Sequence, residues 1–190
     1  ALSRNDLRTY IKDQYVASNT VVCVAGNISS AKIERKVRKL FSDTNPGVRK
    51  QKKEVIEDQK KPEVFIEYRK TDQTHLSVGV RGFGLGDPRE YTQMLIATIL
   101  GVGMSSRLWT EIREKRGLAY YVGTRSMSDT DTGYLTTKAG VKNGAAEEAV
   151  GAIVREYKRL ASGGTSTKEL QKAKDHASTM FKGKKDNILK

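Results

Sequence analysis

Residues 101–122 read Gly-Val-Gly-Met-Ser-Ser-Arg-Leu-Trp-Thr-Glu-Ile-Arg-Glu-Lys-Arg-Gly-Leu-Ala-Tyr-Tyr-Val, and this stretch decides the fold. It predicts a glycine turn, then a short helix over 105–116 that ends at Gly117, then a strand. Arg113 lies near the helix end, and Tyr120 lies just inside the strand. The glycine hinge between them can bring the guanidinium and the phenol toward one point. Both groups are hydrogen-bond donors, so together they could hold a backbone carbonyl of a bound peptide.

The sequence around this stretch predicts pairs of strands followed by helices. The predicted strands cover residues 64–69, 76–81, 118–127 and 131–141. A helix that starts at Asp87-Pro88 follows the first pair, and two long helices follow the second pair. Strand pairs covered by helices predict an α+β fold, with a mainly antiparallel sheet in a two-layer sandwich.

The first part of the chain predicts a helix–strand–helix unit over residues 1–41. Ser3 and Asp6 have the spacing of a capping box, with aspartate in place of the usual glutamate. The β-branched run over 20–25 predicts a buried strand. Cys23, the only cysteine, lies in this run and is expected to be a buried, unreactive thiol.

A polar and basic segment, residues 42–61, follows this unit and contains a Pro-Gly turn. It predicts a linker between the unit 1–41 and a second unit, 62–190. Few apolar anchors offset the entropy of ordering residues 44–60. We therefore expect the most mobile internal segment there.

The stretch that opens with Gly101 resembles the glycine-loop and arginine/tyrosine region of the pitrilysin/insulinase-type (M16) zinc metallopeptidases, which include the mitochondrial processing peptidases. The Ser-Ser-Arg-Leu run over 105–108 and the Arg-Gly-Leu-Ala-Tyr run over 116–120 carry the resemblance. Val102 departs from the family, which often has a third glycine there, and we expect it to stiffen the loop. The resemblance covers nearly the whole chain and is weakest across the linker.

The resemblance implies a role for each part of the chain. It makes Arg113 and Tyr120 substrate-binding residues of the second, non-zinc half, from which they reach across to the peptide bound at the metal. Residues 1–41 would close the zinc-bearing half. Residues 62–190 would open the second half and lack its remaining helices.

The family's zinc motif, His-x-x-Glu-His, is missing from the sequence. The two histidines are His75, followed by Leu-Ser-Val, and His176, followed by Ala-Ser-Thr, and neither has a glutamate beside it. We expect one at a strand start and the other on an outer helix face. The segment is therefore expected to contain no catalytic residue and no metal ligand, with zinc bound elsewhere in the parent protein.

The glycine loop and the tyrosine also have plain structural interpretations. Gly101 and Gly103 could form a tight helix–helix turn, or the flexible loop near the substrate entrance that the family resemblance implies. A phosphate cradle is disfavoured, because no Lys-Ser/Thr follows. By alternation alone, Tyr120 shares a strand face with Leu118 and Val122 and would be core.

The arginine has competitors of its own. Arg113 lies one turn after Trp109 and could simply stack on its ring. Arg107 and Arg116 are neighbouring cations that could share its role. Tyr121, predicted on the opposite strand face, is the natural control for the tyrosine assignment.

The chain is strongly basic. Of its 190 residues 37% are hydrophobic and 30% are charged, and 35 basic side chains against 22 acidic ones give a net charge of +13. Part of the excess lies in the linker, where carboxylates interrupt it and no aromatic residue offers base stacking, so a solvated linker is favoured over nucleic-acid binding. No apolar run approaches the roughly 20 residues that span a membrane. The compartment stays open, with the cytoplasm favoured.

Two functions follow from the resemblance. In the first, the chain is the substrate-positioning segment of a zinc metalloendopeptidase. It then works with the zinc-bearing half of the same protein or with a partner subunit, in a homo- or heterodimer. In the second, it belongs to a catalytically inactive family subunit that serves as scaffold or partner of an active peptidase. The retained Arg113 and Tyr120 favour the first function.

Overall fold

The computed structural model describes residues 2–188, with side chains up to residue 180. Residues 1, 189 and 190, which fall in the predicted units 1–41 and 62–190, lie outside the described part. No helix in the described part is long and apolar enough to cross a membrane. The elements are α1 (Arg4–Gln14), a 3₁₀ turn (Ala17–Asn19), α2 (Ser30–Leu40), β1 (Gln73–Arg81), α3 (Glu90–Gly101), a π-helix (Trp109–Lys115), β2 (Ala119–Ser128), β3 (Gly133–Lys142), α4 (Ala146–Gly163) and α5 (Thr167–Ile188).

The chain divides into two compact units. The first contains residues up to Glu54, and the second runs from Val55 to Phe181. The three strands that the described residues form all lie in the second unit. The sheet that defines the fold class therefore belongs to the second unit.

In the first unit both predicted helices form, and the predicted capping box is present. The Asp6 N–H donates to Ser3 Oγ at 3.2 Å, and the Ser3 N–H donates to the Asp6 carboxylate at 2.8 Å. These bonds satisfy backbone donors that the first turn of a helix otherwise leaves unpaired.

The predicted buried strand over 20–25 is wrong. These residues form no strand, Val21 is 93% exposed, and Cys23 is exposed rather than buried. A strand needs a hydrogen-bonded neighbour, and the described residues of this unit contain no other strand. The β-branched composition is therefore not sufficient for a strand here.

The second unit is built on an antiparallel sheet in the order β1-β3-β2. The helices α3 and α4 and the π-helix pack against one face of this sheet. Its buried core includes Leu100, Leu108, Ile112, Leu135, Ala139, Val141 and Ile153. The predicted α+β class, with an antiparallel sheet covered by helices, is confirmed.

The predicted strand over 64–69 does not form. Phe65, Ile66 and Tyr68 are each 89% exposed, and this segment pairs with no strand. β1, the next element, pairs with β3 along one edge, and no described strand lies along its other edge. Alternation fixes which face a side chain would take, but it does not supply the backbone partner that a strand needs.

α3 begins at Glu90 rather than at the predicted Asp87-Pro88 position. The Asp87 carboxylate accepts the Arg89 N–H at 2.8 Å and pairs with the Arg89 guanidinium at 2.7 Å. These bonds lower the pKa of Asp87 to about 2. Aspartate thus closes a turn ahead of the helix instead of capping it.

An ion pair holds the chain just before the π-helix against the start of α5. The Arg107 guanidinium donates two hydrogen bonds of 2.7 Å to the Glu169 carboxylate and one of 2.9 Å to the Gly164 carbonyl. Thr165 Oγ1 donates another bond to Glu169, at 2.5 Å. Chiefly because of Arg107, the pKa of Glu169 falls from 4.5 to about 2.

The two ends of the predicted linker are bonded within different units. In the first unit, the Ala17 N–H donates to the Asn45 carbonyl at 2.7 Å. In the second, the Val55 N–H donates to the Asp131 carboxylate at 3.1 Å. The boundary between the units, after Glu54, lies between these two anchors.

The Arg107–Glu169 pair should make stability depend on pH. Glu169→Gln is expected to lower the free energy of unfolding at neutral pH by about 1 kcal/mol, allowing for solvent screening of a partly exposed pair. Because the pKa of Glu169 is lower in the folded state, this contribution is complete above pH 4.5 and is lost as the pH falls through about 2. Urea unfolding from neutral pH down to about pH 2 measures the difference.

Glu148→Gln is the matched control for this measurement. Glu148 makes one longer bond, 3.3 Å, to Arg116, and its side chain is 54% exposed against 29% for Glu169. We expect this control to change stability little at any pH. A Glu169→Gln difference that stays constant down to pH 2 would contradict the assigned ion pair.

Limited trypsin digestion tests the linker. We expect the first cuts after Lys52 or Lys53, because these residues lie between the two anchors, and we expect a stable fragment that begins near Glu54. N-terminal sequencing of the early products identifies the cut site. Early cleavage within 104–122, with both lysines protected, would show that the boundary and the rigid segment are misplaced.

Candidate functional site

The predicted helix in the deciding stretch is a π-helix, Trp109–Lys115. Ile112 anchors it and is fully buried in the core. Gly117 closes it with φ of +59°, and the Gly117 N–H donates to the Arg113 carbonyl at 3.2 Å. π-Helices are rare and often occur at functional sites. Here this helix fixes the backbone from which the Arg113 side chain extends.

Arg113 is held by two contacts. Its guanidinium carbon lies 4.3 Å from the centre of the Trp109 ring, as the sequence suggested, and its Nη1 donates to the Tyr120 backbone carbonyl at 2.5 Å. No carboxylate pairs with Arg113 among the described residues. A guanidinium has five N–H donors, and the hydrogen bond to the Tyr120 carbonyl uses one of them.

A β-bulge sets the position of Tyr120. In the ladder with β3, Ala119 lies opposite Val141 and Tyr121 lies opposite Gly140, so Tyr120 is the extra residue between them. A bulge interrupts the alternation of side chains and re-aims the residue it contains. The Tyr120 side chain is 52% exposed as a result.

The bulge overturns the expected strand face. Leu118, Tyr120 and Val122 were predicted to share one face, but the buried residues are Ala119 and Val122, at 8% and 6% exposure. Alternation assumes one residue for one residue across the ladder, and the bulge breaks that count. Tyr120 is therefore not a core residue.

Gly101 and Gly103 form a tight turn between α3 and the π-helix. Gly101 is buried, and a Cβ there would lie 2.4 Å from the backbone nitrogen of Thr124 in β2. Gly103 has φ of +80° and open space around it. Glycine is required at position 101 because the backbone of β2 lies so close, and it is favoured at position 103 because of the positive φ.

The two neighbouring arginines have carboxylate partners. Arg107 binds Glu169, as described above. The Arg116 guanidinium contacts Glu111 at 2.8 Å and Glu148 at 3.3 Å, and the Arg116 bond lowers the pKa of Glu111. These arginines are thus set apart from Arg113, which has no such partner in the described chain.

His75 and Tyr121 form a pair that the sequence did not reveal. His75 Nδ1 lies 3.1 Å from the Tyr121 hydroxyl, and the two rings stack with centroids 6.2 Å apart. The register places both residues opposite Gly140, where a Cβ would lie 2.4 Å from the Tyr121 ring. Antiparallel pairing across β3 was the missing information.

The described residues do not fit a zinc site. No group of three or more His, Cys, Asp or Glu residues is placed to hold a metal ion within that part of the chain. His75 lies in β1, His176 lies on α5 with an exposed side chain, and Cys23 belongs to the other unit. Zinc normally requires three or four such ligands together.

Comparison with known proteins gives a consistent result. A family profile described as "Peptidase M16 inactive domain" matches residues 1–176. The chain is 34% identical over 175 residues to an uncharacterized zinc protease, YmxG, of Bacillus subtilis (strain 168), covering 90% of the chain and 41% of that protein. It is 31% identical over 165 residues to an uncharacterized zinc protease of Rickettsia bellii (strain RML369-C), covering 84% and 38%.

A solved structure agrees with the sequence comparison. The chain resembles the peptidase M16 inactive domain from Pseudomonas fluorescens with a TM-score of 0.78 and 25% identity, covering 93% of the chain and 43% of that structure. The chain thus spans about two fifths of the length of the proteins it matches. With the family profile matched over residues 1–176, the chain belongs to the peptidase M16 family and carries its inactive domain.

Proposed function

We propose that the chain binds and orients peptide substrate for a zinc metalloendopeptidase of the M16 family, through Arg113 and Tyr120. Hydrolysis would take place in a zinc-bearing half, either in the same protein or in a partner subunit. This chain would bind the peptide and help to enclose it. The names of the relatives, which are zinc proteases, support the reaction class.

The observation that carries the proposal is that the Arg113 guanidinium is held in place without a carboxylate partner among the described residues. Its cation has no carboxylate partner in the described chain, unlike Arg107 and Arg116, and its plane is held between Trp109 and the Tyr120 carbonyl. A donor fixed in advance loses little freedom when it binds a ligand. The guanidinium is therefore suited to hold a peptide carbonyl with its remaining N–H groups.

Tyr120 supplies the second donor. The bulge leaves its ring half-exposed, and no hydrogen bond of its hydroxyl occurs among the described residues. Arg113 contacts the backbone of the same residue, which couples the position of the guanidinium to the bulge. Two donors on one bulged segment could orient an extended peptide by its backbone and tolerate many side chains.

A structural role is the second candidate, and the same contacts favour it. The bond from Arg113 to the Tyr120 carbonyl joins the π-helix to β2, so Arg113 could serve the fold alone. The chain would then belong to an inactive subunit that acts as scaffold or partner. In that case Arg113 variants would lose stability and would not specifically lose peptide recognition.

Substitution separates the two candidates. In the complete peptidase, Tyr120→Phe and Arg113→Ala should each reduce kcat/KM for peptide cleavage by about 10²-fold, the size expected when one donor to a carbonyl is lost. The melting temperature should fall much less for Tyr120→Phe than for Arg113→Ala, because phenylalanine keeps the aromatic ring. Steady-state kinetics and thermal unfolding of the same preparations measure both effects.

Tyr121→Phe is the matched control. It removes a hydroxyl from the adjacent residue, which is similarly exposed (43%) but is bonded to His75. Its effect on cleavage should be clearly smaller. Equal losses for Tyr120→Phe and Tyr121→Phe, or losses that follow the melting temperature alone, would contradict the substrate role.

The chain by itself should neither retain a stoichiometric equivalent of zinc after dialysis nor hydrolyse peptides. The physical reason is the ligand set, which holds two separated histidines and one exposed cysteine. Metal analysis together with a quenched fluorescent peptide assay tests both statements. One tightly held zinc per chain would overturn them.

A further inference from the structure

Among the described residues, no helix packs against one face of the sheet, which is here called the open face. The charged side chains of its strands are all basic. The covered face presents Leu135, Thr137, Ala139 and Val141 of β3 to the core. None of the residues in the three strands is Asp or Glu. The cations of these strands are Arg81, Arg125, Lys138 and Lys142, and all four are exposed.

The strand register gathers these cations on the open face. Residues directly opposite each other in an antiparallel ladder share a face. Lys138 lies opposite Ser77 in β1 and Gly123 in β2. Arg125 lies opposite Thr136, one row along. Small residues therefore flank the cations and leave room for a chain to lie along the sheet.

Three of the four cations have no carboxylate partner in the described part of the chain: Arg125, Lys138 and Lys142. The strands contribute no negative charge to offset them. Like charges on one sheet face repel each other, and a bound ligand of opposite charge reduces this repulsion. The open face is thus complementary to carboxylates.

Residues 57–59 of the predicted linker, here called the internal segment, lie at one end of this face. Arg81 donates to the Gln59 carbonyl at 2.6 Å, and its Nε lies 3.5 Å from the Glu57 carboxylate. Thr132 Oγ1 donates to the same carboxylate at 2.5 Å. The rest of the second unit therefore contacts this segment through both a backbone carbonyl and a side-chain carboxylate.

Beside this segment an open groove of about 490 Å³ runs over the sheet, lined by Ile56 and Glu57 on one side and by Ser77, Gly79 and Thr136 of the strands. It leads from the paired cation, Arg81, toward strand positions next to Lys138 and Arg125. The internal segment occupies the Arg81 end only. The rest of the face is available to a second chain.

We propose that the open face binds an extended peptide that carries acidic side chains, with Arg125, Lys138 and Lys142 contacting its carboxylates. This assigns a substrate class to the proposed peptide-binding function and rests on it. The internal segment shows the mode of contact: the Glu57 carboxylate contacts Arg81 of β1 and the hydroxyl of Thr132 in the β2–β3 turn, and the Gln59 carbonyl accepts from the Arg81 guanidinium. Electrostatic complementarity of this kind selects partners and speeds association.

The aromatic residues of the face favour a peptide over a nucleic acid. Binding of single-stranded nucleic acid requires aromatic faces on which bases stack. His75 and Tyr121 stack on each other, and Tyr121 also lies over Gly140. Tyr134, another aromatic side chain of this face, lies apart from them in the row of Arg81 and Met127, so the described strands offer no continuous series of rings on which successive bases could stack.

The test compares fluorescein-labelled peptides of about a dozen residues that differ only in carrying Glu, Gln or Lys at alternate positions. Fluorescence anisotropy of the chain with each peptide gives Kd at several salt concentrations. We expect the Glu peptide to bind most tightly and the Lys peptide to bind least. Arg125→Gln/Lys138→Gln should weaken the Glu peptide by about tenfold, as expected for two exposed ion pairs.

Arg155→Gln/Lys158→Gln is the matched control, since it removes the same charge from exposed positions of α4, away from the sheet strands. It should change Kd by less than about twofold. Equal weakening by both double variants would mean general attraction to a basic protein and would overturn the proposal. So would equal affinity for the Glu and Gln peptides, or tighter binding of a single-stranded oligonucleotide that depends on Arg125 and Lys138.

The same experiment distinguishes this proposal from the broader one. Arg113→Ala and Tyr120→Phe should weaken the Glu and Gln peptides by the same factor, because these donors contact backbone. The Arg125→Gln/Lys138→Gln variant should weaken the Glu peptide alone. If the Gln peptide binds as well as the Glu peptide and still depends on Arg113, peptide binding survives and the acidic preference fails.

Discussion

The second unit depends on the close approach of α3 to β2 at Gly101. A Cβ at this position would lie 2.3 Å from Thr124 Oγ1 and 2.4 Å from the Thr124 nitrogen, so the contact tolerates no side chain. The Thr124 hydroxyl is hydrogen-bonded to the Thr137 hydroxyl at 2.7 Å, and the Thr137 hydroxyl is hydrogen-bonded to the Tyr157 hydroxyl at 2.7 Å. Buried hydroxyls thus join β2, β3 and α4 directly behind the helix–strand contact, where low polarity strengthens each bond.

The candidate site follows from backbone features around that contact. The turn at Gly103 leads from α3 toward the π-helix, Ile112 anchors that helix in the core, and Gly117 ends it. The bulge at Tyr120 then turns a phenol out of the strand. Arg113 spans the two features through its bond to the Tyr120 carbonyl. The side chains at this site are therefore placed by a backbone that the core holds rigid.

The sheet separates two kinds of surface. Its covered face packs the helices and contributes to the stability of the unit, whereas its open face carries small residues and the cations Arg125, Lys138 and Lys142, which have no carboxylate partner among the described residues. Burial of so many cations without partners would be costly, so their location on the open face is consistent with solvent or a charged ligand there. The packing that stabilises the unit and the proposed binding of peptide thus occupy opposite sides of the same described strands.

The sequence by itself determined the fold class, the family resemblance, and most helices and strands of the second unit. Those features depend on local patterns, such as glycine turns, helical periodicity and the capping box of Ser3 and Asp6, which the structure reproduces. Only the tertiary structure decided which extended segments become strands. The runs over 20–25 and 64–69 had the right composition, but a strand exists only where another backbone pairs with it. Strand register likewise set the bulge at Tyr120, the His75–Tyr121 pair and the grouping of basic side chains on the open face. Register is a relation between two strands, so the sequence of one segment does not specify it.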